Sequence, residues 1–245
     1  MSYRIDDALL RTLNLKRVEH NSGEYQIVIP ERCNIARNTV ERYTREHPEN
    51  TALTFEREDL STRTWTFVEL EQDASRLAHG LKTLGIKRGD RVALHTGMRP
   101  ETGIAHMALH KLGVVAVTLS QLYGPDTLAH ILNHAEAKAI ITQTDAWARF
   151  RDRTDEFETL EHIVVVDGAV GGEIDFIALT KNGPASLPAV DTAADEMALL
   201  MYTSGSTGKP KGVLHTTGGY MTYVSYTHEM VFDYRRGDIY WCTAD

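Results

Sequence analysis

Two rhythms of apolar and polar positions run along this chain. From Thr66 onward the spacing is helical: Leu70, Ala74, Leu77, Ala78, Leu81 and Leu84 recur three or four residues apart. Thr66 and Glu69 form a capping box at the start, and Lys82 followed by Gly85 marks the stop. Similar signals predict helices over 34–47 (closed by Pro48), Pro100–Leu112, Pro125–His134, 145–157 and 216–231. The second rhythm is a series of short continuous apolar runs. Strands are predicted over 51–55, Arg91–His95, 114–119, Ala137–Thr142, 162–166 and 197–202, with a short one at 174–179 and a last one at 238–243.

Strand and helix alternate, and the later strands are rich in Val and Ile at successive positions. That is the signature of a parallel sheet covered by helices on both faces, an α/β class with layered, mostly parallel sheets. An antiparallel α+β fold would alternate polar with apolar residues, which these runs mostly do not. Residues 168–195 differ: Gly168, Gly171, Gly172, Gly183, Pro184 and Pro188 lie among small polar residues. The expected organisation is therefore an N-terminal extension over 1–33, a first α/β subdomain over 34–167 and a connection over 168–195. The opening of a second α/β subdomain follows over 196–245.

Composition removes several function classes. Lys and Arg number 26 against 34 Asp and Glu, a net charge of −8, which does not advertise nucleic-acid binding. No apolar stretch is long enough to span a membrane, and the first residues lack the apolar centre of a secretory signal. A cytoplasmic protein is expected. Cys33 and Cys242 lie far apart, and the histidines follow no metal-ligand spacing, so a metal site built from protein ligands alone is not expected. An anionic ligand would need a local arrangement of donors to offset the acidic balance.

The segment Tyr202-Thr-Ser-Gly-Ser-Thr-Gly-Lys-Pro-Lys-Gly212 supplies one, directly after a predicted strand. Gly205 and Gly208 permit a sharp turn and a close backbone approach. Successive amides in such a turn form an anion-binding nest. Thr203, Ser204, Ser206 and Thr207 add hydroxyls. Lys209 and Lys211 add positive charge, with Pro210 restricting the chain between them. The set suits the β- and γ-phosphates of ATP. It is not a Walker A loop: two residues, not four, separate Gly205 from Gly208, and Pro210 stands where the metal-binding hydroxyl belongs. No dinucleotide-binding Gly-x-Gly-x-x-Gly occurs. A plain Ser/Gly linker is the alternative, but two lysines and four hydroxyls straight after a buried strand are a poor linker composition.

The stretch from Tyr202 to Tyr220 resembles the signature loop of the adenylate-forming enzymes, which include acyl-CoA synthetases, luciferases and peptide-synthetase adenylation domains. Its wording, and that of 237–245, is closest to synthetases of the acetyl-CoA type. Leu112-Gly-Val-Val-Ala-Val-Thr-Leu and Tyr123-Gly-Pro-Asp126 are more similar to medium-chain or aromatic acid–CoA ligases. The resemblance covers 34–245. It implies ATP-dependent, AMP-forming activation of a carboxylic acid through an acyl-adenylate, followed by thioester formation with CoA. Carried over by position, Thr203, Ser204, Gly205, Ser206, Thr207, Gly208, Lys209 and Lys211 hold ATP phosphates, with Lys209 in the mobile part of the loop, and Thr207 is the candidate Mg²⁺ ligand.

Other family parts are not found. The adenine-side Tyr-Gly-x-Thr-Glu motif is absent after the loop, and Tyr123-Gly-Pro-Asp-Thr127 is a turn and helix start instead. The ribose-binding aspartate, the hinge and the mobile C-terminal domain with its catalytic lysine belong beyond residue 245. The chain is therefore expected to be an N-terminal part, inactive alone. The alternative is a non-catalytic nucleotide-binding or partner-docking module, one half of a split ligase completed by a second chain. His215 is expected at a helix entry, and His95 and His106 in core or surface roles. Tyr220, Met221, Tyr223 and Tyr226 are read as packing rather than as an acyl pocket.

Overall fold

The structure is a computed structural model, and it describes residues 16–19, 25–181, 183–203, 208–235 and 237–241. Strands β1 (Lys16–Glu19) and β2 (Tyr25–Val28) form an antiparallel pair. Asn34 opens the next segment: its side-chain oxygen accepts from the Arg37 amide at 3.2 Å. A π-turn over Arg37–Glu41 runs into α1 (Arg42–Glu46), which ends at His47 ahead of Pro48. β3 (Thr51–Glu56) and β4 (Thr62–Thr66) form a separate hairpin, with Glu56–Asp59 at its solvated turn. The second strand of that hairpin is not predicted from the sequence. Its run, Thr-Arg-Thr-Trp-Thr, buries only Trp65.

Helix α2 (Phe67–Thr83) begins with the expected capping box. The Thr66 hydroxyl accepts from the Glu69 amide at 3.3 Å, and Glu69 accepts from the Thr66 amide at 2.8 Å. The main sheet then builds through β5 (Arg91–His95), α3 (Pro100–Leu112), β6 (Val115–Thr118), α4 (Pro125–His134) and β7 (Ala137–Thr142). Pro100 and Pro125 each start a helix, where a missing N–H costs nothing, and α3 stops at left-handed Gly113 (φ 67°). The expected helix over 145–157 is broken instead, into α5 (Thr144–Ala148) and a 3₁₀ turn over Arg151–Glu156. Trp147, Phe150 and Phe157 all turn into the core there.

β8 (His162–Val165) and β9 (Ile174–Asp175) follow. The stretch 174–179 is not one strand. Asp175 accepts from the Ala178 amide at 2.7 Å and starts α6 (Phe176–Lys181). After the connection come β10 (Met197–Thr203), β11 (Lys211–Thr216) and α7 (Thr217–Met230), whose Thr216 hydroxyl caps the Gly219 amide. β11 is unpredicted; His215 lies near its end and directly before the Thr216 cap, so it stands at the expected helix entry and in a strand at once. Residues 238–241 adopt no strand, and 242–243, the rest of that expected run, lie outside the described residues.

The seven-stranded sheet has the order β11-β10-β6-β5-β7-β8-β9, parallel except for the β10–β11 pair. β10 pairs with β6, Leu199 opposite Ala116, so strands from both sides of the 168–195 connection share one sheet. The central strands β5, β6 and β7 are buried on both faces. Val92, Leu94, Ala116, Ile141 and Val164 meet α2 and α3 through Leu77, Leu81, Ile104 and Leu109. Ala93, Val117 and Ile140 meet α4 through Leu128, Ile131 and Leu132. Neighbouring residues of one strand thus serve opposite cores, which is why these runs are continuously apolar.

Buried polar groups are few and structural. Lys111 is fully buried, its ammonium 2.7 Å from Glu41 and 2.5 Å from Glu71, which ties the π-turn, α2 and α3 together. Burial raises the Glu71 carboxyl above its usual range despite Lys111. His95, at the end of β5, packs edge-on to Phe150 and contacts the Thr142 hydroxyl at 3.2 Å. Burial pushes it down to about 4, so it is a neutral core histidine at pH 7; half-buried His106 is likewise pushed down to about 4.

Candidate phosphate-binding loop

The loop grows out of β10, which lies between β6 and β11. Residues of β10 alternate between the two cores: Leu199 enters the α2–α3 side, while Leu200 and Tyr202 pack on the α4 side. Tyr202 fixes the strand end. Its ring is buried, its hydroxyl lies 2.7 Å from His134 Nδ1, and its carbonyl accepts from the Tyr123 hydroxyl at 3.1 Å. Burial raises the Tyr202 phenol, so it stays protonated.

The chain then reverses. Thr203 is paired with Lys211, Tyr202 with Gly212 and Met201 with Val213, so residues 204–210 are the connection of a hairpin. Directly opposed residues on antiparallel strands point to the same face. The exposed side chains of Thr203 and Lys211 therefore emerge together. At Gly212 a Cβ would come within 3.1 Å of Leu200 Cδ1 and 3.4 Å of Tyr202 Cζ, tight contacts that those side chains would have to relieve by small shifts. Gly208 has φ of 122°, a backbone region closed to most side chains. Ser204, Gly205, Ser206 and Thr207 lie outside the described residues.

The two lysines separate. Lys211 shares the face of Thr203, whereas exposed Lys209 lines a cleft of about 470 Å³ on the α4 side with Asp126, His130, Asn133, His134, Arg153 and Glu156. Arg153 is held by Asp126 at 2.8 Å and Glu156 at 2.5 Å. At the loop's exit, His130 Nε2 stands 3.3 Å from the Pro210 carbonyl oxygen. Sequence reasoning missed Tyr123, His130 and His134 as neighbours of the loop. The two histidines are one helical turn apart, a visible signal, but only the placement of β10 beside α4 gives it meaning. His215 instead packs edge-on against Tyr220, with ring centroids 5.4 Å apart.

A mostly parallel α/β sheet with a Gly-, hydroxyl- and Lys-bearing segment at the carboxyl end of a strand is an arrangement on which nucleotide-binding sites are built. The chain belongs to the AMP-binding enzyme family, whose sequence profile matches residues 40–245. Among its relatives, acetyl-coenzyme A synthetase of Escherichia coli O6:H1 is 35% identical over 232 residues, covering 86% of this chain and 35% of that protein. The Shewanella baltica acetyl-coenzyme A synthetase is 34% identical, with 86% and 36% covered. A solved anthranilate CoA ligase in complex with anthranoyl-AMP aligns with a TM-score of 0.76 at 28% identity, over 82% of this chain and 38% of that one. A Brucella canis acyl-CoA synthetase, at 24% identity, shares the fold with a TM-score of 0.78, over 89% of this chain and 39% of that one. The chain thus spans about a third of the length of these relatives.

Proposed function

We propose that the chain carries the phosphate-binding part of an ATP-dependent, AMP-forming acid–CoA ligase. Thr203, Ser204, Gly205, Ser206, Thr207, Gly208, Lys209 and Lys211 are its ATP-phosphate contacts. The observation that carries this reading is the hairpin, which sets Thr203 and Lys211 side by side and turns at positive-φ Gly208. The names of the relatives support the reaction: a carboxylate attacks the α-phosphorus of ATP, pyrophosphate leaves, and the CoA thiol then displaces AMP from the acyl-adenylate. Two anions must meet in the first step, so neutralising charge is the main demand on this part of the site. Acetate and anthranilate are the acids in the relatives' names, and a small carboxylic acid is the substrate class proposed here.

Among the described residues no group of three His, Cys, Asp or Glu side chains lies together as a metal cage. The donor set, hydroxyls beside a polyphosphate site, suits Mg²⁺ delivered on ATP, with Thr207 as its ligand from this chain. Bound there, Mg²⁺ would neutralise phosphate charge.

Calorimetry with ATP·Mg²⁺ tests the assignment. Lys211→Ala is expected to weaken binding by about 1.5–3 kcal/mol, the cost of losing a hydrogen bond from a charged donor. Affinity unchanged in both Lys211→Ala and Thr207→Ala removes the loop from the site.

The second reading, a partner-docking module, has one observation in its favour. β11 pairs only with β10 among the described residues, and its Val213 and Leu214 are exposed. A chain that purifies as a stable monomer and exposes no apolar patch to a hydrophobic dye would leave that reading without support.

A further inference from the structure

One helix touches both ends of the loop. At the entry, His134 of α4 meets the Tyr202 hydroxyl, and Tyr123, just before α4, donates to the Tyr202 carbonyl. At the exit, one helical turn back along α4, His130 Nε2 meets the Pro210 carbonyl. The two imidazoles lie with centroids 5.6 Å apart. A carbonyl oxygen only accepts, so the His130 contact is a hydrogen bond with Nε2 as donor.

The two ends are not equally restrained. The entry follows Met201, the last β10 residue paired with β6, and is held by the buried Tyr202 ring and its contacts to Tyr123 and His134. The exit leads into β11, an edge strand paired only with β10 among the described residues. Pro210 has no N–H of its own to anchor it. His130 is half-buried and lies off the face that α4 commits to the core, which is made by Leu128, Ile131 and Leu132. Its side chain is therefore available for the loop rather than consumed by packing.

We infer that His130 is a positioning residue for the loop: by holding the Pro210 carbonyl it fixes the exit and raises the loop's affinity for a polyphosphate. The inference rests on the phosphate-binding reading above. The tether acts through the backbone, since the His130 hydrogen bond is to the Pro210 carbonyl. It also gives the cleft beside Lys209 a role as the seat of this tether.

The test compares the native chain with His130→Ala and His130→Gln. The Gln amide nitrogen can occupy the place of Nε2 and donate to the same carbonyl. Two readouts are needed: hydrogen–deuterium exchange at the Gly208 and Lys209 amides, and calorimetric affinity for ATP·Mg²⁺ and for inorganic tripolyphosphate with Mg²⁺. His130→Ala is expected to speed exchange at those amides and to raise both dissociation constants about three- to tenfold, the scale of one neutral hydrogen bond. The thermal midpoint should stay near the native value, and His130→Gln should restore both readouts. Unchanged exchange in His130→Ala, or equal loss in His130→Gln, overturns the tether. If His130→Ala speeds exchange but the native chain binds neither ligand, the phosphate-binding reading falls, and the claimed gain in affinity with it.

Discussion

At the scale of single residues, the sharpest energetic commitment is Lys111. An ammonium with no exposed surface is tolerated only because Glu41 and Glu71 both reach it. Glu41 also accepts from the Ala189 amide at 2.6 Å, so the cluster stitches the 168–195 connection to α3. Lys111→Ala would leave two carboxylates buried and facing one another. Urea denaturation is expected to show a loss of about 3–5 kcal/mol. Lys111→Met combined with Glu41→Gln and Glu71→Gln should recover most of it, because the uncompensated charge goes with its partners. A loss under about 1 kcal/mol in the single variant would mean that water reaches the carboxylates.

Among the elements, Gly80 shows how packing overrides propensity. It lies inside α2, where glycine costs about 1 kcal/mol relative to alanine. A Cβ there would stand 2.6 Å from Leu179 Cγ and 2.8 Å from the Leu179 carbonyl oxygen, because α6 crosses at that point. Gly80→Ala is therefore expected to destabilise by about 1–3 kcal/mol, read as a lowered thermal midpoint, although alanine is the better helix former. A raised midpoint would show that α6 yields. The same crossing explains a sequence misreading. The apolar run 174–179 looks like a strand until the Asp175 cap is noticed.

Four elements of the main sheet and its helices were legible to the residue. Arg91–His95, Pro100–Leu112, Pro125–His134 and Ala137–Thr142 have the bounds their patterns predict. β11 was not legible, since it buries little and is a strand because β10 offers it a ladder. The loop's composition was readable from its residue types. Its hairpin frame and its neighbours on α4 were not, because both depend on which strand lies where.

For the molecule as a whole, the loop concentrates positive charge in a chain of net charge −8. Met201, Val213, Leu214 and Tyr223 are exposed on β10, β11 and α7. No helix among the described residues is long and apolar enough to cross a membrane. Relatives run to about three times the length matched here. If adenine, ribose and acid contacts come from regions equivalent to the unmatched part, this chain alone should catalyse no acid-dependent exchange of pyrophosphate into ATP. That assay, run with acetate and with anthranilate, is expected to stay at background. Robust exchange would show that the matched third suffices.

The pairing of Thr203 with Lys211 bears on how the site tolerates evolutionary change. Ring closure has already been completed by the ladder, so settling the intervening residues on a ligand costs only their internal freedom. Doubling the length of such a ring adds just ~0.6 kcal/mol of closure cost. Insertions between these two positions should therefore cost the fold little, while altering how far the amides reach.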